Sequence, residues 1–438
     1  MDELGQQAAD VLRRNDRGGW TRPSPELYPH QWSWDAAFVA IGWAHLDPIR
    51  AVAELQSLFV GQWSNGMLPH VVFDPTVAAG AYEPGPEAWS SAGHSPFGVA
   101  TSAICQPPVH ALALQRVREV STGSGPEVLD AVDTAIADLY PRLARWHRWL
   151  RSARDPHGTG LITILHPWES GLDNSPRWDD ALARIDPSVG PDGPRPDLDV
   201  VGDPAQRPTD DDYRRYRFLL ERLIAVDHDQ AQALRSHPFR MHDVWFSAIL
   251  AASDDALADL AVVVGMPEAA EGHRADGDNT RAGLDRCWDT DLARCRDIDL
   301  VGGAPVAADT IAGFAPLVAG TNIDRTAKLV DRLWSPSYAG NPSLTWALPP
   351  TTAVDDPAFD ARSYWRGPQW PPMTWLLWRG LRRAGHRRSA SRLRQTALDQ
   401  LRATGCTEYV EPCTGEPLGS RDQSWTAAVA LDWLATTD

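Results

Sequence analysis

Apolar residues recur at intervals of three and four along most of this 438-residue chain, and runs of strict alternation between apolar and polar residues are almost absent. Intervals of three and four place apolar side chains on one face of a helix, whereas a half-buried strand alternates. The sequence therefore predicts an all-α fold. The predicted helices cover residues 3–14, 34–46, 48–63, 107–120, 129–154, 212–225, 241–264, 269–289, 307–318, 322–334, 368–384, 387–404 and 423–436.

A dozen or so helices in antiparallel succession fit six inner and six outer helices, the arrangement known as an (α/α)6 barrel or toroid. No short repeat runs through the sequence, which disfavours a solenoid of stacked helical repeats. A chain of this length exceeds an ordinary domain but suits one large toroid. Residues 1–438 are therefore expected to form a single domain.

Four stretches between the predicted helices are too long for simple connections, and they cover residues 64–106, 155–211, 335–367 and 405–422. Long irregular segments within a compact domain are usually functional or disordered. Alternate connections of an antiparallel helical ring fall on the same end, so these segments are expected to meet there. We interpret 64–106 and 155–211 as insertions that form a cap over a pocket at that end.

Composition narrows the ligand that such a pocket would bind. Tryptophan, with 20 residues, outnumbers both tyrosine with 8 and phenylalanine with 9. Indole rings often belong to the core, but flat aromatic faces beside polar groups also suit the C–H surfaces of a sugar ring. The formal net charge of −17 disfavours binding to nucleic acid or to anionic membranes. The indicated partner is a small-molecule carbohydrate.

Targeting and redox features point to the cytoplasm. The first twenty residues read as an amphipathic helix without the basic and apolar regions of a secretory signal. The five cysteines show neither CxxC spacing nor a disulfide pattern, so reduced thiols are expected. The thirteen histidines show no zinc-binding spacing, and we expect neither a metal nor a cofactor.

Carboxyl groups beside aromatic residues are the strongest chemical signal in the long segments. Cleavage of a glycosidic bond needs two carboxyl groups on opposite sides of the reacting carbon, one protonated and one ionised. The candidates are Glu169, Asp173, Asp179 and Asp180 in the second long segment, and Glu408, Glu411 and Glu416 in the fourth. Taken alone, each is more often a surface charge or a helix cap, and the residues by themselves do not choose among them.

Four motifs occur together in a familiar order. They are YPHQWSWDAAF at 28–38, WESGLDNSPRWD at 168–179, YWRGPQW at 364–370 and EYVEPCTGEPLG at 408–419. With them the chain resembles glycoside hydrolase family 63 over nearly its entire length, and within it the bacterial branch that hydrolyses glucosylglycerate and mannosylglycerate on an (α/α)6 barrel with a loop-built cap. The resemblance implies a hydrolase of an α-glycoside of glycerate, with glucosylglycerate favoured as substrate.

The same resemblance implies roles for two carboxyl groups. The aspartate of the GLDNSP segment, Asp173, corresponds to the general acid, and the first glutamate of the EYxxPxTGE segment, Glu408, corresponds to the general base that activates water. This arrangement inverts the configuration of the sugar, and it requires roughly 6.5 to 9.5 Å between the carboxyl groups, against about 5 to 5.5 Å in a retaining enzyme. Glu411 is the alternative base.

The resemblance further implies a set of substrate-binding residues, with indoles as walls and polar side chains for the hydroxyls. They are Tyr28, Trp32, Trp34, Asp35, Gln106, Tyr364, Trp365, Gln369, Trp370 and Gln423, together with Glu416, which would support the base loop or orient water. A glycerate carboxylate would need a cation, for which Arg207 with its partner Tyr213 is favoured over Arg214 and Arg215. Segment 32–38 could instead be a helix N-terminus with tryptophan packed inward.

Other functions stay open at this point. A mannosylglycerate hydrolase and a trehalase-like α-glucosidase would use the same two carboxyl groups, whereas a sugar-binding protein would keep the tryptophans without them. A terpene cyclase also uses a helical toroid, but the sequence lacks a convincing pair of metal-binding Asp motifs. A lyase of acidic polysaccharides would need a basic groove. Some members of the resembled family are oligomeric, so a homo-oligomer is expected.

Overall fold

The computed structural model describes residues 2–436, and it confirms the predominantly helical class. Those residues contain sixteen α-helices. They are α1 (Glu3–Asn15), α2 (Ser33–Ala44), α3 (Pro48–Val60), α4 (His110–Ser121), α5 (Pro126–Arg154), α6 (Asp179–Ala183), α7 (Pro196–Val201), α8 (Asp210–Ile224), α9 (Gln230–Ser236), α10 (Val244–Val263), α11 (Pro267–Arg286), α12 (Ala315–Ala319), α13 (Ile323–Leu333), α14 (Pro371–Arg383), α15 (Arg387–Thr404) and α16 (Ser424–Ala435).

Six of these helices contact one another in a closed series. Helix α2 contacts α4, α4 contacts α10, and the series continues through α12, α14 and α16 before it returns to α2. Outside this series, α1 packs on α16, α3 on α2, α5 on α4, α11 on α10, α13 on α12 and α15 on α14. The described residues therefore form a ring of helices with a second layer around it.

Burial separates the two layers of the ring. Helices α2, α10 and α16 are buried on nearly every side because their sequences are apolar all round. Helix α13 in the outer layer buries only Thr326, Leu329 and Leu333, and charged residues cover its other faces. The buried apolar side chains form one continuous cluster, so the inner helices and their outer partners share a single core.

Short antiparallel strands lie in the connections between the helices. They are β1 (Gln31–Trp32), β2 (Val71–Val72), β3 (Thr163–Ile164), β4 (Met241–His242), β5 (Trp288–Asp289), β6 (Arg294–Cys295), β7 (Ile298–Asp299), β8 (Ala304–Pro305), β9 (Tyr409–Val410) and β10 (Pro417–Leu418). Strand β1 pairs with β2, β5 with β6 and β9 with β10, while β3, β4, β7 and β8 form a four-stranded sheet in that order. The β1–β2 and β9–β10 pairs fix the backbone beside Trp32 and Glu408.

The start of α10 differs from the predicted helix 241–264. Residues 241–242 form strand β4 instead. The helix starts immediately after Asp243, whose carboxylate accepts hydrogen bonds from the backbone N–H groups of Trp245 at 2.9 Å and Phe246 at 3.1 Å. An aspartate in this position satisfies N–H groups that have no partner within the helix, and it thereby sets the boundary.

Two further predictions differ from the structure. In the predicted helix 307–318, residues 307–310 are not helical, Ile311–Phe314 form a 3-10 helix and α-helix is confined to Ala315–Ala319. The segment 155–211, predicted to be irregular, contains α6, α7 and several short 3-10 helices. Within residues 2–436, no helix combines the length and the apolar character needed to cross a membrane.

Candidate active site

A cavity lies where α2 and α16 begin. All four long segments contribute to its wall: Gln106 ends the first, Asp173 and Arg207 belong to the second, Tyr364 to the third and Glu408 to the fourth. The predicted convergence of these segments is therefore confirmed. Residues separated by more than three hundred positions in the sequence face the same space.

The cavity is lined by most of the residues that the sequence assigns to the site. They are Tyr28, Trp32, Trp34, Asp35, Gln106, Asp173, Arg207, Tyr213, Tyr364, Trp365, Glu408 and Gln423. Several of them lie at helix N-termini, where Trp34 and Asp35 fall in the first turn of α2 and Gln423 directly precedes α16. The helical ring therefore supplies a rigid base, and the long segments supply the remaining walls.

A tight turn directs Asp173 towards the cavity. The 3-10 helix Pro167–Ser170 ends at Gly171, which has a φ of +72°. A Cβ atom at this glycine would come within 2.5 Å of the Trp34 ring, so a larger residue would force the two segments apart. Two residues further on, the backbone carbonyl of Asp173 accepts a hydrogen bond from the Tyr216 hydroxyl at 3.1 Å.

The surroundings of Asp173 favour its protonated form. Burial raises the pKa of this carboxyl group to about 7; the positive charge of Arg207 opposes the rise, and the negative charge of Glu408 adds to it. A carboxyl group with such a pKa is partly protonated at neutral pH, and it can therefore act as a general acid.

The surroundings of Glu408 hold its carboxylate ready to accept a proton. The Tyr28 hydroxyl donates a hydrogen bond to Oε1 at 2.7 Å, and the backbone N–H of Ser420 donates to Oε2 at 2.8 Å. Burial raises the pKa of Glu408 above its usual value, and the charge of Arg207 and these two hydrogen bonds offset only part of the rise. Gly419 has a φ of +69°, and a Cβ atom there would lie 2.4 Å from Oε2, so this glycine makes room for the carboxylate.

A third carboxyl group, that of Asp35, faces the same cavity. Its residue is only 6% exposed. Burial raises the pKa of Asp35 well above its usual value, and the negative charge of Glu408 raises it further. Three neighbouring carboxyl groups in one buried cavity resist simultaneous ionisation, which favours a protonated neighbour beside the ionised Glu408.

Arg207 places a positive charge in this acidic cavity. Its Nη1 donates a hydrogen bond to the Tyr28 hydroxyl at 3.1 Å, and its Nε donates to Oδ2 of Asp197 at 3.2 Å. The guanidinium lies 4.3 Å from the centre of the Tyr364 ring. The hydroxyl of Tyr213 also donates to Asp197, at 3.3 Å, so the predicted Arg207–Tyr213 partnership runs through this carboxylate.

Indole rings form one side of the cavity. Trp34 lies 6.3 Å from Trp365 and 5.5 Å from Trp425, measured between ring centres. Trp370 stacks on Trp365 with ring centres 3.5 Å apart and donates a hydrogen bond from Nε1 to the carbonyl of Tyr364 at 3.0 Å. The structure thus places Trp370 behind the wall rather than in it, which corrects its predicted place among the substrate contacts.

Gln369 also lies behind the wall, although the sequence assigns it to the substrate. Its Nε2 donates hydrogen bonds to the backbone carbonyls of Trp346 at 3.1 Å and Leu348 at 2.8 Å. Its Oε1 accepts a hydrogen bond from the Gln400 side chain at 2.7 Å. These contacts occupy the amide and show that it joins α15 to the segment before α14.

Glu416 lies at the surface, away from the cavity. Its carboxylate forms an ion pair with Arg362, at 2.5 Å from Nη1 and 3.3 Å from Nη2. Arg362 also donates to Asp203 at 3.1 Å. Glu416 therefore links the base segment to two other long segments, but a sugar in the cavity would not touch it.

The other candidate carboxylates do not line the cavity either. Glu411 accepts hydrogen bonds from the turn that follows it, and Glu169 is enclosed in an ion pair with Arg154. Asp179 forms an ion pair near the surface, and Asp180 is exposed. Of the carboxyl groups that the sequence offers as candidates for the acid and the base, Asp173 and Glu408 are the two that line the cavity.

Several lining residues were not assigned from the sequence. They are Trp168, Trp425, Tyr82, His70 and Asp197. Trp168 stands in the same motif as Asp173, and Trp425 follows Gln423 by two positions, so proximity to an assigned residue was a usable signal for both. Asp197 lies in a Pro- and Asp-rich stretch in which nothing local distinguishes one aspartate from another. Among the described residues, no group of three or more His, Cys, Asp and Glu side chains is arranged to hold a metal ion.

An aromatic-walled cavity at one end of a helical ring, with one carboxyl group of near-neutral pKa and one hydrogen-bonded carboxylate, is the arrangement that a glycoside hydrolase needs. Residues 28–426 match the family model described as the mannosylglycerate hydrolase MGH1-like glycoside hydrolase domain. The chain belongs to this family. Together with the solved family 63 relative described below, this match confirms the resemblance to glycoside hydrolase family 63.

Two curated relatives align over almost the whole chain. A glucosylglycerate hydrolase of Mycolicibacterium hassiacum is 43% identical over 437 residues, which cover 99% of this chain and 98% of the relative. A mannosylglycerate hydrolase of Thermus thermophilus is 39% identical, with 98% of this chain and 99% of the relative covered. The crystal structure of a family 63 mannosylglycerate hydrolase from Thermus thermophilus in complex with Tris and D-glycerate has a TM-score of 0.89, 39% identity, and coverage of 98% of this chain and 100% of that one.

Proposed function

We propose that this protein is an inverting hydrolase that cleaves glucosylglycerate into glucose and glycerate. Asp173 donates its proton to the glycosidic oxygen as the bond from that oxygen to the anomeric carbon breaks. Glu408 accepts a proton from a water molecule that attacks the same carbon from the opposite face, so the configuration inverts. The observation that carries this proposal is a carboxyl group with a pKa of about 7 and a hydrogen-bonded carboxylate in one cavity.

The proposed scaffold is an (α/α)6 barrel in which residues 1–438 form one catalytic domain. The closed series of α2, α4, α10, α12, α14 and α16, each with an outer partner, supports six inner and six outer helices. Segments 64–106 and 155–211 contribute cavity residues from outside this series, which supports their assignment as a cap. We assign the sugar ring to the space between Trp34, Trp365 and Asp35.

Glycerate is the proposed aglycone because a carboxylate needs a cation within this acidic chain. Arg207 faces the cavity, is only 6% exposed and is oriented by Asp197 and Tyr28. The relative solved with D-glycerate supports the same aglycone. Arg207→Met should lower kcat/KM for a glycerate glycoside by at least about tenfold more than for an uncharged phenyl glycoside. Equal losses on both substrates would contradict a role in aglycone recognition.

The identity of the sugar follows less directly than that of the aglycone. The higher identity to the glucosylglycerate hydrolase, 43% against 39%, favours glucose over mannose. Mannosylglycerate is the alternative, supported by the other relatives, and trehalose is the substrate that would indicate a different aglycone. Initial rates with glucosylglycerate, mannosylglycerate and trehalose decide among the three, and we expect the highest kcat/KM with glucosylglycerate.

Stereochemistry tests the mechanism independently of the substrate ranking. Proton NMR during the first minutes of hydrolysis of an α-glycoside should show the β-anomer of the free sugar before mutarotation produces the α-anomer. Early release of the α-anomer would indicate retention and would contradict the assigned roles. Glu408→Gln tests the base itself and should remove nearly all turnover; Glu411→Gln is its matched control, because this glutamate lies in the same segment as Glu408 but outside the cavity.

A further inference from the structure

A buried amide joins the segment of the general acid to the segment that contains Tyr364. Asn174, the residue after Asp173, is only 6% exposed. Its Oδ1 accepts a hydrogen bond from the backbone N–H of Trp365 at 2.9 Å, and its Nδ2 donates to the hydroxyl of Ser363 at 3.3 Å. Since these two partners directly flank Tyr364, the side chain of Asn174 brackets this tyrosine from both sides.

The backbone of Tyr364 needs such support. Its φ of +40° lies in the left-handed region, which bulky residues adopt at a cost in free energy. A residue in that conformation persists only where neighbouring contacts hold it. The two hydrogen bonds of the Asn174 side chain are contacts of that kind, and so is the bond that the Tyr364 carbonyl accepts from the Trp370 indole at 3.0 Å.

The side chain of Tyr364 transmits this backbone position to Glu408. The hydroxyl groups of Tyr364 and Tyr28 form a hydrogen bond of 3.0 Å. The hydroxyl of Tyr28 donates in turn to Oε1 of Glu408 at 2.7 Å, and the Arg207 guanidinium lies over the Tyr364 ring. A displaced Tyr364 would therefore alter the position of the Tyr28 hydroxyl, which donates to Glu408, and that of the Arg207 guanidinium beside it.

We infer that Asn174 is a positioning residue, which holds the strained Tyr364 turn so that Tyr28 donates its hydrogen bond to the general base. The inference rests on the proposed roles of Asp173 and Glu408. An amide suits this position because it offers one acceptor and one donor without a charge beside Asp173. The arrangement couples the segment that carries the acid to the side chain that serves as base.

The effect should appear in the ionisation of Glu408. The ionisable groups that face this carboxylate from the surrounding elements are Tyr28, Asp35, Asp173, Arg207, Tyr364 and Tyr409. Of these, Tyr28 lowers the pKa of Glu408 by direct hydrogen bonding. Loss of that bond would raise the pKa, and the acidic limb of the kcat/KM profile would move to higher pH.

The experiment compares Asn174→Ala with Asp179→Asn. Asp179 forms the outer ion pair with Arg366, at 2.7 and 2.8 Å, which joins the same two segments near the surface. The substrate is the α-glycosyl fluoride of the preferred sugar, because fluoride departs with little need for a general acid and needs no aglycone site. We expect Asn174→Ala to lower kcat about tenfold and to move the acidic limb upward by about 0.5 pH unit, the size of a weakened hydrogen bond to a carboxylate. Asp179→Asn should change kcat by no more than about twofold and move the acidic limb by no more than about 0.1 pH unit, because an exposed ion pair contributes little.

An unmoved acidic limb in Asn174→Ala overturns the inference, even if kcat falls, because a purely structural role would reduce the rate without changing the ionisation of Glu408. Should that variant not fold, Ser363→Ala decides the question. It removes the Ser363 hydroxyl alone, and we expect a smaller shift of the limb in the same direction; no shift overturns the inference. A wild-type enzyme inactive on the glycosyl fluoride and on glycerate glycosides would instead refute the proposed function, before any variant is compared.

Discussion

Glu169 and Asp173 lie four residues apart in one motif, yet their carboxyl groups have opposite properties. Glu169 receives two hydrogen bonds of 2.6 Å from the Arg154 guanidinium and one of 2.7 Å from the backbone N–H of Leu165. Burial alone would raise the pKa of Glu169, but the charge and hydrogen bonds of Arg154 lower it. Asp173 opens into the cavity, where burial raises its pKa to about 7.

The difference shows that burial does not decide the state of a carboxyl group. What decides it is whether a cation and hydrogen-bond donors are fixed against the carboxylate. Glu169 has both and is held in its ionised form, so it fastens the motif to α5. Asp173 shares the charge of Arg207 with Glu408 and with Asp197, so its proton stays available. One short motif therefore contains an anchoring carboxylate and a reactive one.

The largest expected effect is the loss of activity when Asp173 is replaced. Asp173→Asn should lower kcat/KM for the preferred glycerate glycoside by about 10²- to 10⁴-fold, because the amide cannot donate the catalytic proton. Circular dichroism should show an unchanged helical content. Initial rates measured at pH 6 to 7 test this expectation, and a loss of less than tenfold would place the general acid elsewhere.

The free energy of unfolding should depend more on Glu169 than on Asp173. Glu169→Gln should lower the free energy of unfolding by about 3–5 kcal/mol, since it leaves the Arg154 guanidinium buried without a counter-charge. Urea unfolding followed by tryptophan fluorescence measures this change. The double variant Glu169→Gln with Arg154→Met removes both charges and should recover part of the loss. If the single variant proves as stable as the wild type, the ion pair does not anchor the motif.

Asp173→Asn should stabilise the protein at alkaline pH. The pKa of Asp173 is raised on folding, so its ionisation penalises the folded state increasingly as pH rises from about 4 to about 7. The asparagine variant lacks this penalty, and its free energy of unfolding should exceed that of the wild type by roughly 1–4 kcal/mol at pH 8. The difference should vanish below about pH 4, where the Asp173 side chain is neutral in both the folded and the unfolded protein. Unfolding at pH 4, 6 and 8 tests the trend, and a difference independent of pH would argue against a raised pKa.

The smallest effect is expected at a carboxylate that is neither enclosed nor in the cavity. Glu416→Gln breaks the exposed ion pair with Arg362 and should lower the free energy of unfolding by about 0.5 kcal/mol or less. Its kcat/KM should stay within about twofold of the wild type, because no contact to the cavity is lost. A loss of activity tenfold or greater would restore the sequence-based assignment of Glu416 to substrate binding.

The helical class could be predicted from sequence because three- and four-residue periodicity persists over long stretches. The strands could not, since two residues are too few to display alternation. Periodicity alone places the start of α10 too early, because Met241 continues the apolar pattern of the helix, whereas the Asp243 side chain caps the helix and sets its first residue at Val244. Residues 307–318 have helical periodicity but make only a short helix, which ends before Gly320.

The sequence could predict site residues that lie in one of the four motifs and also line the cavity, as Asp35, Asp173 and Glu408 do. Gln369 and Trp370 belong to a matching motif, but their partners come from segments distant in sequence, and a motif contains no information on which side of a wall a residue falls. The role of Asn174 could not be foreseen either. It depends on the φ of Tyr364, a property that appears only once the backbone is placed.

The walls of the cavity come from positions as far apart as Tyr28 and Trp425, and the helices between them must close into a ring before the walls meet. Enzymatic turnover therefore reports the tertiary integrity of the entire chain. During denaturation, activity should disappear no later than the fluorescence change that marks the opening of the ring. A surface nick in one of the long segments would be tolerated only while the severed parts stay docked.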